Sequence, residues 1–196
     1  GREYQWMKVQ GAKHQAVVTG SLVVKEGDTY FNRMVWMRPD GTYAEYDKRH
    51  LFRMAGEHTR YAMGSKRLLV ELKGWRILPL ICYDLRFPVW SRNRNDYDLA
   101  IYVANWPSVR ALHWNRLLQA RAIENLSYVV GVNRVGMDEA EQHYAGDSSV
   151  YGPAGELIAT SQEAELISVE LHAERLQEYR EKFPAYLDMD KFELLF

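Results

Sequence analysis

Apolar residues along this chain recur with two alternating periods. Residues 16–24 and 30–37 are rich in β-branched and aromatic side chains, and Lys25-Glu26-Gly27-Asp28 between them predicts a hairpin turn. A second tight turn follows at Arg38-Pro39-Asp40-Gly41-Thr42, with proline and glycine where a turn needs them. Residues 67–72 and 76–82 flank Lys73-Gly74 as a further strand pair. Residues 99–104 form a short, almost unbroken apolar run, the pattern of a strand buried on both faces.

Helical spacing takes over in residues 109–125, where Leu112, Leu117, Leu118, Ala122 and Ile123 recur among polar positions ahead of a strand over 127–135. Strand, helix, strand in that order predicts a right-handed crossover between parallel strands and a mixed α/β architecture. Residues 148–152 and 156–160, joined through Pro153-Ala154-Gly155, predict a late hairpin, and 165–169 a last strand. A closing helix is expected over 172–182 and an aromatic tail over 183–196. With no low-complexity linker or internal repeat, the 196 residues read as a single domain. An aromatic tail that finds no seat on its own domain often packs on a second copy, which points towards a homodimer.

Composition narrows the partners. With 25 Lys plus Arg against 26 Asp plus Glu, the net charge of −1 gives no electrostatic reason to expect nucleic acid or an anionic membrane. No apolar stretch approaches the length of a membrane helix, and residues 1–10 lack the apolar core of a signal peptide. The single cysteine excludes an intrachain disulfide framework, so the expected setting is a reducing cytoplasm and the expected partner a small molecule.

That cysteine, Cys82, stands where an apolar strand runs out into the polar segment Tyr83-Asp84-Leu85-Arg86. A lone cysteine is by base rate a small core hydrophobe, but the end of a strand is where a nucleophile would be mounted. Upstream, Tyr46-Asp47-Lys48-Arg49-His50-Leu51-Phe52 is a strand end breaking into a loop that bears a lysine, and Glu57 lies in the same irregular segment. A thiol, an amine and a carboxylate on loops at strand ends would supply the parts of acyl transfer. The competing reading for Lys48 and Glu57 is a solvated loop charge, and for Glu57 also a salt bridge to Arg53 or Arg60. His50 and His58 show no spacing to Cys82 that marks a Cys-His dyad, and both read as shell or surface residues.

The segments Tyr46-Asp-Lys-Arg-His-Leu-Phe52, Cys82-Tyr-Asp-Leu-Arg-Phe87 and Asn105-Trp-Pro107 resemble, in order and separation, the motifs of the nitrilase superfamily of carbon-nitrogen hydrolases. Arg121-Ala122-x-Glu124-Asn125 and Ser149-x-x-x-Pro153-x-Gly155 extend the resemblance over essentially the whole chain, and the first two segments look most like its omega-amidase branch. The resemblance implies an α-β-β-α sandwich with mixed sheets. It also implies Cys82 as nucleophile, a lysine at Lys48 and a supporting glutamate at Glu57. The oxyanion would lie between the Lys48 ammonium and the Tyr83 backbone N–H. A neighbouring ammonium is expected to lower the thiol pKa. No metal or organic cofactor is implied.

The family's first catalytic glutamate follows a proline, and here the six prolines precede Asp40, Leu80, Val89, Ser108, Ala154 and Ala185. The expectation is therefore that the first strand-helix-strand portion of the fold, with that glutamate, lies ahead of Gly1. The substrates implied are monoamides of dicarboxylates such as 2-oxoglutaramate and 2-oxosuccinamate. Asn105 and Trp106, at the C-terminal end of a buried strand, would line the pocket, although Trp106 reads equally as core. Arg86 is a candidate receptor for the substrate's far carboxylate, unless it forms a structural pair with Asp84; Arg110 and Arg134 are further candidates. Two other readings stay open: a catalytically silent module of the same fold, and a different carbon-nitrogen hydrolase such as a carbamoylase or nitrilase.

Overall fold

A computed structural model describes residues 1–194. Helix α1 (Arg2–His14) leads into the hairpin β1 (Val18–Glu26) and β2 (Thr29–Met37), then β3 (Tyr43–Asp47). Two single-turn 3-10 segments, Arg53–Ala55 and Glu57–Thr59, precede β4 (Val70–Leu72) and β5 (Trp75–Ile81). A 3-10 turn over Cys82–Arg86 runs into the short α2 (Pro88–Ser91), followed by β6 (Leu99–Ala104), α3 (Ala111–Asn125) and β7 (Tyr128–Asn133). The remaining elements are β8 (Val135–Met137), β9 (His143–Ala145), β10 (Ser148–Tyr151), β11 (Leu157–Ser161) and α4 (Ala173–Lys182).

Among the described residues, β1, β2 and β3 form an antiparallel sheet, and a mixed sheet runs β11-β10-β7-β6-β5-β4 with β5, β6 and β7 parallel. The alternation along β2 shows how the layers assemble. Met34 and Trp36 pack with residues of the mixed sheet, including Leu78, Leu80, Ile77 and Leu99. Val35 and Met37 point the other way and cluster with Met7 of α1. On the far side of the mixed sheet, α3 contributes Trp114, Leu118 and Ala122 to the main core. The order is therefore helix, sheet, sheet, helix, the α-β-β-α sandwich with mixed sheets. α3 sits close on β7: a Cβ added at Gly131 would stand 2.4 Å from Leu118 Cδ1 and 2.7 Å from Trp114 Cζ2. No helix among the described residues is long and apolar enough to cross a membrane.

The elements differ from the sequence expectations in three places. Residues 165–169 are not a strand; Ile167 and Val169 are half-buried, but the segment carries the chain from β11 to α4 without entering a ladder, and Leu166 is 92% exposed. Local alternation cannot supply a pairing partner. The strand expected over 127–135 divides at Arg134, and its end becomes β8 of a separate two-stranded ribbon with β9. The tail over 183–196 also behaves differently from a segment without a seat: Phe192 lies under the Arg94 guanidinium and Leu194 packs against the main core. Phe183 and Leu187 remain exposed, and residues 195–196 lie outside the described residues.

Candidate active site

The buried strand β5 ends at Ile81, and the next residue, Cys82, has φ 45°. This left-handed conformation costs a non-glycine residue on the order of 1 kcal/mol or more and persists only where the surroundings enforce it. The enforcing group is Asp84, which has no exposed surface. Its carboxylate accepts the Ile81 N–H at 3.0 Å, pulling the chain back over the strand end, and the Tyr46 hydroxyl at 2.7 Å. It also accepts the backbone N–H and the ring Nδ1–H of His50, both at 2.9 Å. The expected pair between Asp84 and Arg86 does not form. Asp84 is taken by the β3 end, and the Arg86 guanidinium lies over the Trp106 ring at 5.2 Å and donates to His113 Nδ1 at 2.7 Å.

Lys48 follows β3 directly and is 3% exposed. Its N–H bonds to Asn32 O and its carbonyl accepts the Gly64 N–H, so its backbone is held from both sides. A Cβ at Gly64 would stand 2.1 Å from Asp47 O, which is why that approach requires glycine. The Lys48 ammonium reaches both oxygens of Glu57, at 2.8 and 2.6 Å. Glu57 accepts the Phe52 N–H as well, at 2.6 Å. The carboxylate thus belongs to the buried lysine and not to Arg53 or Arg60, because a buried ammonium requires a partner while exposed arginines do not. His50 is a shell residue, its ring stacked on Phe87 at 3.8 Å, and His58 is exposed.

One cavity of about 740 Å³ is lined by Lys48, Glu57, Cys82, Tyr83, Arg86, Asn105 and Trp106, and by the further candidates Arg110 and Arg134. Tyr83 packs its ring between Phe52 and Phe87. Asn105 is exposed, and its carbonyl oxygen lies 4.0 Å from Cys82 Sγ. Trp106 is both wall and core: it is 3% exposed and tilts against Trp114. The thiol departs from expectation. Burial pushes Cys82 up to about 11; Lys48 acts in the opposite direction, but burial, with Glu57 and Asp84, outweighs it.

Sequence reading did not single out Asn133, although a polar residue at the C-terminal end of a buried parallel strand is a signal for one. Its side chain accepts the Trp106 N–H at 2.7 Å and donates to Trp106 O and Gly146 O, bracketing the cavity wall. The β8–β9 ribbon also contributes wall residues, among them Arg134, Asp138 and Tyr144 at its strands and tip. Nothing local marked the ribbon, since its two strands are only three residues long.

A model of the carbon-nitrogen hydrolase family matches residues 1–181. The omega-amidase YafV of Escherichia coli (strain K12) is 56% identical over 191 residues, covering 96% of this chain and 75% of that protein. A 2-oxoglutaramate amidase of Bacillus subtilis (strain 168) is 34% identical over 197 residues, covering 97% and 76% of the two chains. The crystal structure of a CN-hydrolase superfamily protein from Xanthomonas campestris, with an arsenic adduct in its active site, superposes with a TM-score of 0.97 at 49% identity, over 99% of this chain and 77% of that one.

Proposed function

This chain belongs to the carbon-nitrogen hydrolase family, and we infer that it is an omega-amidase, releasing ammonia from the terminal amide of small 2-oxo dicarboxylic acid monoamides such as 2-oxoglutaramate. One observation carries the mechanism: the strained Cys82 after β5 and the buried Lys48 after β3, with its partner Glu57, open into a single cavity.

Cys82 Sγ attacks the amide carbon. Because its thiol holds its proton at neutral pH, the proton leaves as the bond forms. The developing oxyanion is received by the Lys48 ammonium, which Glu57 holds in place, and by the Tyr83 N–H at the start of the 3-10 turn. Collapse breaks the C–N bond, ammonia leaves with a proton, and a thioester remains on Cys82. Water then cleaves it to the dicarboxylate and restores the thiol. Glu57 and Asp138 are the carboxylates in the described cavity wall, and Glu57 is committed to Lys48. The resemblance assigns the proton transfers to a further glutamate of the family's catalytic set. The reading includes a reducing cytoplasmic setting, consistent with one free thiol, and a homodimer, to which the exposed Phe183 and Leu187 would contribute.

Ammonia release from 2-oxoglutaramate by the full-length protein tests the reading. It should be abolished in Cys82→Ala. Undiminished release by that variant removes Cys82 as nucleophile, and a preference for carbamoyl or nitrile substrates in a panel removes the omega-amidase reading.

A further inference from the structure

The cavity wall carries four cationic side chains, Lys48, Arg86, Arg110 and Arg134, against two carboxylates, Glu57 and Asp138. Most of these groups are already committed. Lys48 and Glu57 hold each other. Asp138 accepts the Tyr144 hydroxyl at 2.8 Å and the N–H groups of Gln142 and Ala140. Arg134 donates to Met137 O at 3.2 Å and lies over the Tyr144 ring, and Arg86 donates to His113. Arg110 is different: among the described residues its guanidinium has no hydrogen-bond or ion-pair partner.

Arg110 is nevertheless fixed in position. Its N–H bonds to Pro107 O at 3.0 Å, and its carbonyl accepts the Trp106 indole N–H at 2.8 Å. The residue ends the 3-10 turn Ser108–Arg110 and stands at the start of α3. Its guanidinium lies 5.3 Å from the centroid of the Phe52 ring, and that ring packs on Tyr83, the residue after Cys82. A cation–π contact of this kind uses none of the guanidinium's N–H donors, and the fork those donors form matches the two oxygens of a carboxylate.

We propose that Arg110 is the specificity-determining residue that receives the far carboxylate of the substrate, in place of Arg86, and so selects amides bearing an anionic end. This rests on the omega-amidase reading. An unpaired guanidinium on the nucleophile's side of a net cationic cavity favours a small planar anion over a neutral chain of the same length. Arg86, turned towards the exposed His113, serves the wall around Trp106.

The test compares 2-oxoglutaramate with pentanamide, a neutral amide of the same chain length, on the full-length protein and its Arg110→Gln, Arg110→Lys and Arg86→Gln variants. In Arg110→Gln the ratio of kcat/KM for the anionic over the neutral amide should fall about a hundredfold, chiefly through KM, as expected for losing a charge-assisted bidentate contact. Arg110→Lys should recover part of the ratio, since it restores charge without the fork. A parallel loss on both amides, leaving the ratio intact, marks a structural role and overturns the proposal, as does collapse of the ratio in Arg86→Gln instead. Calorimetric binding of 2-oxoglutarate reads the same contact without turnover. Weakened binding in Arg110→Gln supports the receptor even if neither amide is hydrolysed, an outcome that would discard the omega-amidase reading alone; unchanged binding overturns the receptor.

Discussion

The carboxylate of Asp84, closed off from solvent, accepts both the backbone N–H and the ring Nδ1–H of His50 at 2.9 Å. These two residues join the segment that bears Lys48 to the turn that bears Cys82. Tyr46 reinforces the joint by donating its hydroxyl to Asp84 and accepting the Trp90 indole N–H at 2.9 Å. Burial, then the Asp84 charge, raise the Tyr46 phenol well above its ordinary range, so it remains a donor at any working pH. The cysteine and the lysine therefore keep their relative position through a buried acceptor that takes no part in the chemistry.

Replacing Asp84 by Asn should destabilise the protein by about 2 kcal/mol, because one oxygen becomes a donor facing donors. Urea denaturation measures the loss, and kcat should fall with it as the Cys82 turn relaxes. A variant with wild-type stability and activity would mean that the strained turn stands without this joint.

Thiol reactivity should follow the raised pKa of Cys82. Alkylation of the unliganded protein by iodoacetamide is expected to keep rising with pH through 10, with no plateau near the ordinary value of 9.0. Lys48→Met removes the positive charge that lowers that pKa and should slow alkylation further at pH 8. The same shift carries a stability consequence. Above pH 9 the unfolded chain releases a proton that the folded thiol retains, so this residue's contribution to stability declines as pH rises towards 11.

Glu57→Gln leaves the buried Lys48 ammonium facing a neutral amide and should cost about 2 kcal/mol of stability together with most of the activity. The double variant Lys48→Met with Glu57→Gln should regain much of the stability and none of the turnover. If stability losses in the two single variants simply add, the pair is not coupled.

At the other end of the mixed sheet, Asp98 bonds Arg76 and Arg180, which ties α4 to the start of β6. Burial pushes its carboxyl up, but the hydrogen bonds of Arg76 and Arg180 more than reverse this and hold it below its ordinary value of 3.8. The resulting stability is present above pH about 4 and is lost as pH falls through the depressed folded-state value. Denaturation midpoints between pH 3 and 6 should show a smaller acid slope in Arg180→Gln than in the parent.

Gly131→Ala places a methyl group against Leu118 and Trp114 and should lift α3 from β7, costing about 2 kcal/mol. Since Arg110 stands at the start of that helix, KM for 2-oxoglutaramate should rise as well. Thermal unfolding and steady-state kinetics of the same variant read both effects.

Local pattern was sufficient for much of this molecule. The run over 99–104 is β6 to the residue, and the period in 109–125 is the 3-10 turn and helix α3 that follow it. Leu118 and Ala122, spaced for one helical face, are fully buried. The thiol at a strand end, the lysine after a strand and the Asn105-Trp106 pair were legible because each sits beside an element whose type the neighbouring residues dictate. The same reasoning placed a strand at 165–169 and ran another past Arg134, because alternation describes a segment and says nothing of its neighbour.

The sequence alone determined most of the order of elements and the mixed α/β class, since these depend on side-chain periodicity and turn composition over a few positions, while the layered sandwich followed from the family resemblance of its motifs. Tertiary structure decided that Glu57 belongs to Lys48, that Asp84 serves His50 and not Arg86, and that Arg110 keeps its donors free. It also decided the direction of the Cys82 pKa, where burial prevails over a nearby ammonium. Partner choice and desolvation depend on distances between segments far apart along the chain, and those distances exist only once the two sheets have packed.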